Sequence, residues 1–441
     1  MNTNAKQAEI LKFLCLGLSY AFSYGYISFF LSNASPLAHT IFVTILAVVA
    51  VIWLELTMAQ IRKLGKSSAT RLQMIEVRFW EVILVLLSLN TYFGQLPGLS
   101  FFFIHMVVIY MALCGTGHLL CGRSSCLMPL DMVNGMFRIP FSNLGARIIS
   151  VYESTKDSKK EIIPVGCVPS SDAGMTSSTE KKRTPVWGVI GVLFFILLIF
   201  IAALKNLASI DNRFAYTLKW LDHFFDNMSV HEIIFKFVLS IPVGAYLFGL
   251  FQGGVRSSTE KEKKYHEKIC QVSSKIRFMP DTLFAIVISM FLLVYLVFCL
   301  SQAEYMFSAF AGVLPEAFTA SEYAVSGFYE LINVVLINFV LLSLVRAFGS
   351  HENKLLKILN VILMADSMIF ATISASKIIL YMSRFGYTSS RTLALWGTVV
   401  VFAGSLLDIV NLMKKKRTFM PWLLFSASSY VLMNFLCYPF T

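Results

Sequence analysis

SEYAVSGFYELINVVLIN, residues 321–338, is apolar enough over most of its length to cross a bilayer, yet it carries Glu330 near its middle. A carboxylate in hydrocarbon costs several kcal/mol unless protein or water meets it. Hence a membrane helix here needs a polar face with a partner for Glu330. The rest of the chain shows what kind of protein carries it.

Of the 441 residues, 57% are hydrophobic and 14% charged, and the mean hydropathy is +0.70. Soluble domains are nearer 45–50% apolar and about 25% charged, so the composition is that of a membrane chain. A span needs about 20 mostly apolar residues. Runs of that kind fall at 11–31, 37–58, 77–94, 98–119, 186–206, 230–251, 281–301, 323–347, 357–380, 392–411 and 420–438. An all-α integral membrane protein of about eleven transmembrane helices is therefore expected.

The net charge of +12 is not a nucleic-acid footprint, because the basic residues gather in short loops between apolar runs. Arg62, Lys63, Lys66, Arg71 and Arg78 follow the second run. Arg256, Lys261, Lys263, Lys264, Lys268, Lys275 and Arg277 follow the sixth, and Lys414–Arg417 the tenth. Alternate loops carry the charge, which predicts the N-terminus inside and the C-terminus outside.

Residues 120–185 form the longest stretch without a span. They divide a four-helix block, 1–119, from a seven-helix block, 186–441. The first part, through 149, mixes apolar residues with Arg138 and Arg147 and suits a helix lying on the inner membrane surface. The second part is rich in Ser, Thr, Pro and Lys, the composition of a flexible tether. A cytoplasmic protein partner would meet the chain here.

At 100° per residue, Tyr323, Ser326, Glu330 and Asn333 share one helix face. In the next run Asp366, Lys377 and Arg384 share another, flanked by Tyr381 and Ser374. The two runs are consecutive, and Glu330 and Lys377 lie at similar depths, roughly 10 Å from one surface at 1.5 Å rise per residue. An ion pair between them follows, either as a lock between helices or as part of a binding or translocation site. Arg384 and Arg391 flank a turn at Gly386, where they would hold an anion or pair with Glu304, Glu316 or Glu322. Asp408 is read as a helix end facing the lysine turn.

EYAVSGFYEL at 322–331 and ASKIILYMSRFGYTSSR at 375–391 resemble a family of bacterial polytopic membrane proteins known only as domains of unknown function. That family's pattern runs E-Y-A-R-E-G-F-F-E-L, then A-x-x-R-x-x-L-Y-x-x-x-Y-G-L-T-x-x-R. Glu322, Tyr323, Ala324, Gly327, Phe328, Glu330 and Leu331 match its first part. Leu380, Tyr381, Gly386, Thr388 and Arg391 match its second. Lys377 stands where the family has Arg, and Val325-Ser326 replaces Arg-Glu. The resemblance covers roughly residues 180–440. It implies a multi-pass protein of the bacterial cytoplasmic membrane and supplies no activity.

Cys114, His118, Cys121 and Cys126 offer a weak Cys₃His alternative for a metal at the end of the fourth run, with a spacing that fits no standard zinc signature. No Walker loop, G-x-S-x-G or H-E-x-x-H occurs, so no catalytic group and no cofactor is expected. The expected function is binding or transport of a small solute, ion or lipid headgroup at a polar site between the spans at 323–347, 357–380 and 392–411. Its residues are Glu330, Lys377, Arg384, Arg391, Tyr381, Asn333, Asp366 and Tyr323. The alternative is a membrane sensor or scaffold that signals to a cytoplasmic partner through 120–185.

Overall fold

The computed structural model describes residues 3–32, 35–65, 71–93, 97–150, 229–256, 267–268, 279–313, 319–349 and 353–437. Among them it is all-α, with thirteen α-helices, one π turn and one 3₁₀ turn. In order these are α1 Thr3–Phe30, α2 Pro36–Lys63, α3 Arg71–Phe93, α4 Pro97–Thr116, α5 Met128–Val133, the π turn Asn134–Arg138 and α6 Ile139–Ser142. There follow α7 Ser229–Arg256, α8 Asp281–Ser301, α9 Ala303–Phe307, the 3₁₀ turn Ser308–Ala311, α10 Ala320–Phe348, α11 Lys354–Phe385, α12 Ser389–Lys414 and α13 Phe419–Cys437.

Nine of the described helices are long and apolar enough to cross a membrane, which makes this a multi-pass membrane protein. They coincide with nine of the eleven expected spans. Helix α3, expected as a span over 77–94, forms but is not among the nine, because Glu76, Arg78 and Glu81 crowd its apolar stretch. The expected span at 186–206 and the tether at 151–185 lie outside the described residues.

Helix boundaries follow local chemistry. Ser35 caps α2 ahead of Pro36, whose missing N–H costs nothing in a first turn. Thr319 and Glu322 form a reciprocal capping box at the start of α10. Gly386, at φ +78°, ends α11 in a backbone conformation that a side chain would disfavour.

The chain divides into two compact units. The first comprises Met1–Val85, Ile104–Arg123 and Leu127–Ser258. In it α1 packs on α2 and α7, and the segment expected along the membrane surface folds against α7. Tyr246 of α7 donates to the Met136 carbonyl at 2.9 Å, and its ring meets Phe141 edge-on. Arg78 binds Glu55 through both terminal nitrogens and Glu81 at 2.7 Å. His105, in α4, bonds the Tyr26 hydroxyl at 2.8 Å.

The second unit comprises Leu86–Phe103, Ser124–Cys126 and Thr259–Thr441. Helices α10, α11 and α12 pack in sequence, each on the next, with α8 against α11. Its core includes Ile288, Met306, Val335, Leu363, Met364 and Phe370. One polar chain crosses this core: Tyr295 donates to Asn338 at 2.8 Å, and Asn338 to Ser367 at 2.9 Å. Every link has a partner, as a low-dielectric interior requires.

A lysine enclosed by two tyrosines

Lys377 lies on α11 and is fully buried. Its Nζ sits 3.4 Å from the Tyr305 ring centroid and 4.3 Å from that of Tyr323. The two rings meet edge to face, with centroids 5.4 Å apart. An ammonium over an aromatic face is stabilised by the ring quadrupole, by about 2 kcal/mol where water is excluded. Among the described residues no acceptor takes a hydrogen bond from Nζ, and the buried Ser374 Oγ, one turn earlier on α11, is also without a partner. Three N–H donors are therefore enclosed and unmatched.

Gly327 makes the enclosure possible. A Cβ on this α10 residue would fall 2.6 Å from Lys377 Nζ and 2.8 Å from the Tyr305 hydroxyl. Only a residue without a side chain lets α10 approach the ammonium so closely.

Tyr305 reaches the site from α9, in a short segment that lies over it. Residues 303–312 run from α9 through the 3₁₀ turn Ser308–Ala311 to Gly312, whose φ of +69° closes the turn. Three bonds fasten this lid. Tyr323 donates to the Tyr305 carbonyl at 2.9 Å, Ser308 Oγ lies 2.7 Å from the Tyr323 hydroxyl, and Arg384 donates to the Gly312 carbonyl at 2.7 Å. Met306, wholly buried, anchors the lid from below. Burial, and next the nearby Glu330 carboxylate, raise the Tyr305 phenol above its ordinary pKa.

Glu330 is exposed. The Tyr305 hydroxyl donates to it at 3.4 Å, and no ion pair joins it to Lys377. The expected direct pair is thus replaced by a tyrosine that touches both groups. The polar face expected on α10 is also not the buried one: Ser326, Glu330 and Asn333 are exposed, and of the four only Tyr323 is buried.

The arginines serve the backbone. Arg384 holds the lid, while Arg391 donates to the carbonyls of Phe385 and Gly386 at 3.0 and 2.7 Å and stacks on Tyr381 at 4.1 Å. Among the described residues neither pairs with an acidic side chain, and Glu316 lies outside them. Tyr381 bonds Ser321 at 3.4 Å. Asp366 is half-buried and forms no hydrogen bond or ion pair among the described residues. Asp408 does not face the lysine turn alone, since Arg346 of α10 reaches it at 2.8 Å. The Cys₃His alternative is not assembled: Cys114 and His118 are buried, Cys121 and Cys126 are exposed, and no group of three or more metal-ligating side chains forms among the described residues.

Residues 26–437 match the family described as Domain of unknown function (DUF4153). The chain belongs to the DUF4153 family. The match reaches well beyond residues 180–440, so the DUF4153 region takes in helices of both compact units. No curated protein and no solved structure matches this DUF4153 chain.

Two members of the site escape a reading of periodicity. Tyr305 stands 25 residues before Glu330 in a connecting segment, and Gly327 matters through the atom it lacks. Tyr305, Phe307 and Phe310, three aromatic residues in a connection between two apolar spans, are the signal that could have found it.

Proposed function

We propose that this protein binds an anionic group of a small solute or lipid headgroup on the Lys377 ammonium, and that the lid at 303–312 encloses the site between binding events. One observation carries the reading: a wholly buried ammonium whose three donors meet rings and, among the described residues, no acceptor. A cation kept only for helix packing would be expected beside a carboxylate. Here the available carboxylate, Glu330, stands at the exposed rim instead.

Lid opening would break those three hydrogen bonds and the Tyr305–Glu330 bond with them, and uncover both tyrosines with the lysine. Binding or transport, with no chemical conversion, then fits the absence of any nucleophile–base motif in the sequence. The basic loops support an N-in, C-out orientation in a bacterial cytoplasmic membrane, which puts the lid on the outer side.

Purified full-length protein in detergent micelles, titrated with inorganic phosphate, acetate and phosphatidylglycerol while its unfolding temperature is followed, tests this. At least one of the three is expected to raise that temperature by roughly 2 °C or more. The rise should vanish in Lys377→Met. If none raises it, or if Lys377→Met keeps the rise, the reading is wrong.

A further inference from the structure

A second buried cation lies in the first unit, with no bearing on Lys377. Arg147 is 3% exposed. Its guanidinium carbon lies over the ring of Tyr20 of α1, 3.4 Å from the centroid, and Nη1 donates to the Ile241 carbonyl of α7 at 3.1 Å. Ile241 precedes Pro242, the one proline inside α7. Gly244, a turn away, leaves room for the group: a Cβ there would fall 2.9 Å from Arg147 Cζ and 2.8 Å from Ser23 Oγ.

The orientation so fixed leaves one edge of the fork. Nε and Nη2 are buried and have no hydrogen-bond partner among the described residues. These two nitrogens present parallel N–H groups, the edge on which arginine holds a carboxylate or phosphate with two bonds. Stacking and the Nη1 bond remove the rotational freedom that such a contact normally costs. Burial itself disfavours the charge, and no carboxylate among the described residues forms an ion pair with it.

We propose that Arg147 holds an oxyanion, a phosphate or carboxylate, bidentately on its Nε/Nη2 edge, between α1, α7 and the segment at 145–150. Because the edge is enclosed, the ligand exchanges slowly and travels with the protein through purification. A phospholipid headgroup and free inorganic phosphate share this chemistry, and mass separates them.

Native mass spectrometry of the full chain, released from mild detergent, is the test. Wild-type protein is expected to carry one tightly held adduct, a phospholipid if the source is the bilayer or a phosphate if it is the solvent. Lys377→Met should retain that adduct and Arg147→Met should lose it. Arg147→Lys keeps the charge but not the fork, and is expected to bind the same adduct at least tenfold more weakly on re-addition of phosphatidylglycerol or phosphate. This variant decides the matter should Arg147→Met fail to fold. Wild-type protein with no adduct and no response to either addition overturns the proposal, as does an adduct held equally by Arg147→Lys.

Discussion

Lys377 and Glu330 sit on adjacent helices and meet through Tyr305: the ammonium lies 3.4 Å from its ring centroid, and its hydroxyl donates to the carboxylate at 3.4 Å. A direct ion pair would neutralise the lysine. A shared tyrosine leaves the charge in place and covers it with a side chain that belongs to a lid.

Removing the ring should therefore cost more than removing the hydroxyl. Tyr305→Phe keeps the face over Lys377 and gives up hydroxyl contacts with the exposed Glu330 and Ser326, so a loss of about 1 kcal/mol is expected. Tyr305→Leu removes the cation–π contact and should lose about 2 kcal/mol. Denaturant unfolding of both variants in micelles gives the comparison.

Glu330→Gln should leave stability within about 0.5 kcal/mol of wild type, as for an exposed group away from any tight network. A direct pair with a buried lysine would instead cost about 3–5 kcal/mol on losing one partner. A double-mutant cycle with Lys377→Met should give a coupling close to zero.

Glycine substitutions separate crowded helix contacts from open ones. Gly249→Ala in α7 would put a Cβ 2.7 Å from the Pro140 carbonyl oxygen, a backbone atom that cannot rotate away. Gly327→Ala meets the enclosed Lys377 Nζ. Each should lose about 1–3 kcal/mol by overpacking. At Gly397 in α12 nothing lies within 4 Å, so Gly397→Ala should stabilise by about 0.5–1 kcal/mol.

Arg346→Met should cost about 1 kcal/mol or less. Its 2.8 Å contact with Asp408 is partly open to solvent, with side chains 32% and 18% exposed, and screening weakens such pairs. The loss should shrink further in high salt.

Length and apolarity were enough to place nine membrane helices, because a bilayer-scale apolar run admits little except a helix. The site was half legible. Lys377 stood out as a charge in hydrocarbon, and so did Glu330, but a helical wheel gives the face of a residue and not what lies across from it. Asn333 shares the arc of Glu330 and is exposed, whereas Asn338, five residues on, is the buried one that bonds Tyr295. Asp408 sits near a lysine turn in sequence, yet its partner comes from another helix. Arg147, read as a surface charge, is buried because Gly244 of α7 lets it in. Each miss is a tertiary contact between segments distant in the chain.

Chemical labelling tests the enclosed lysine most directly. Purified protein in micelles is treated briefly with a water-soluble amine-acylating reagent, and peptide mass spectrometry reads the modification at each lysine. Lys377 is predicted to resist while the exposed Lys357 and Lys415 react. Arg384→Gln, which frees the lid at Gly312, should then speed Lys377 labelling severalfold. Labelling of Lys377 in the wild-type protein as fast as at Lys415 would contradict an enclosed cation, and with it the lid and the site.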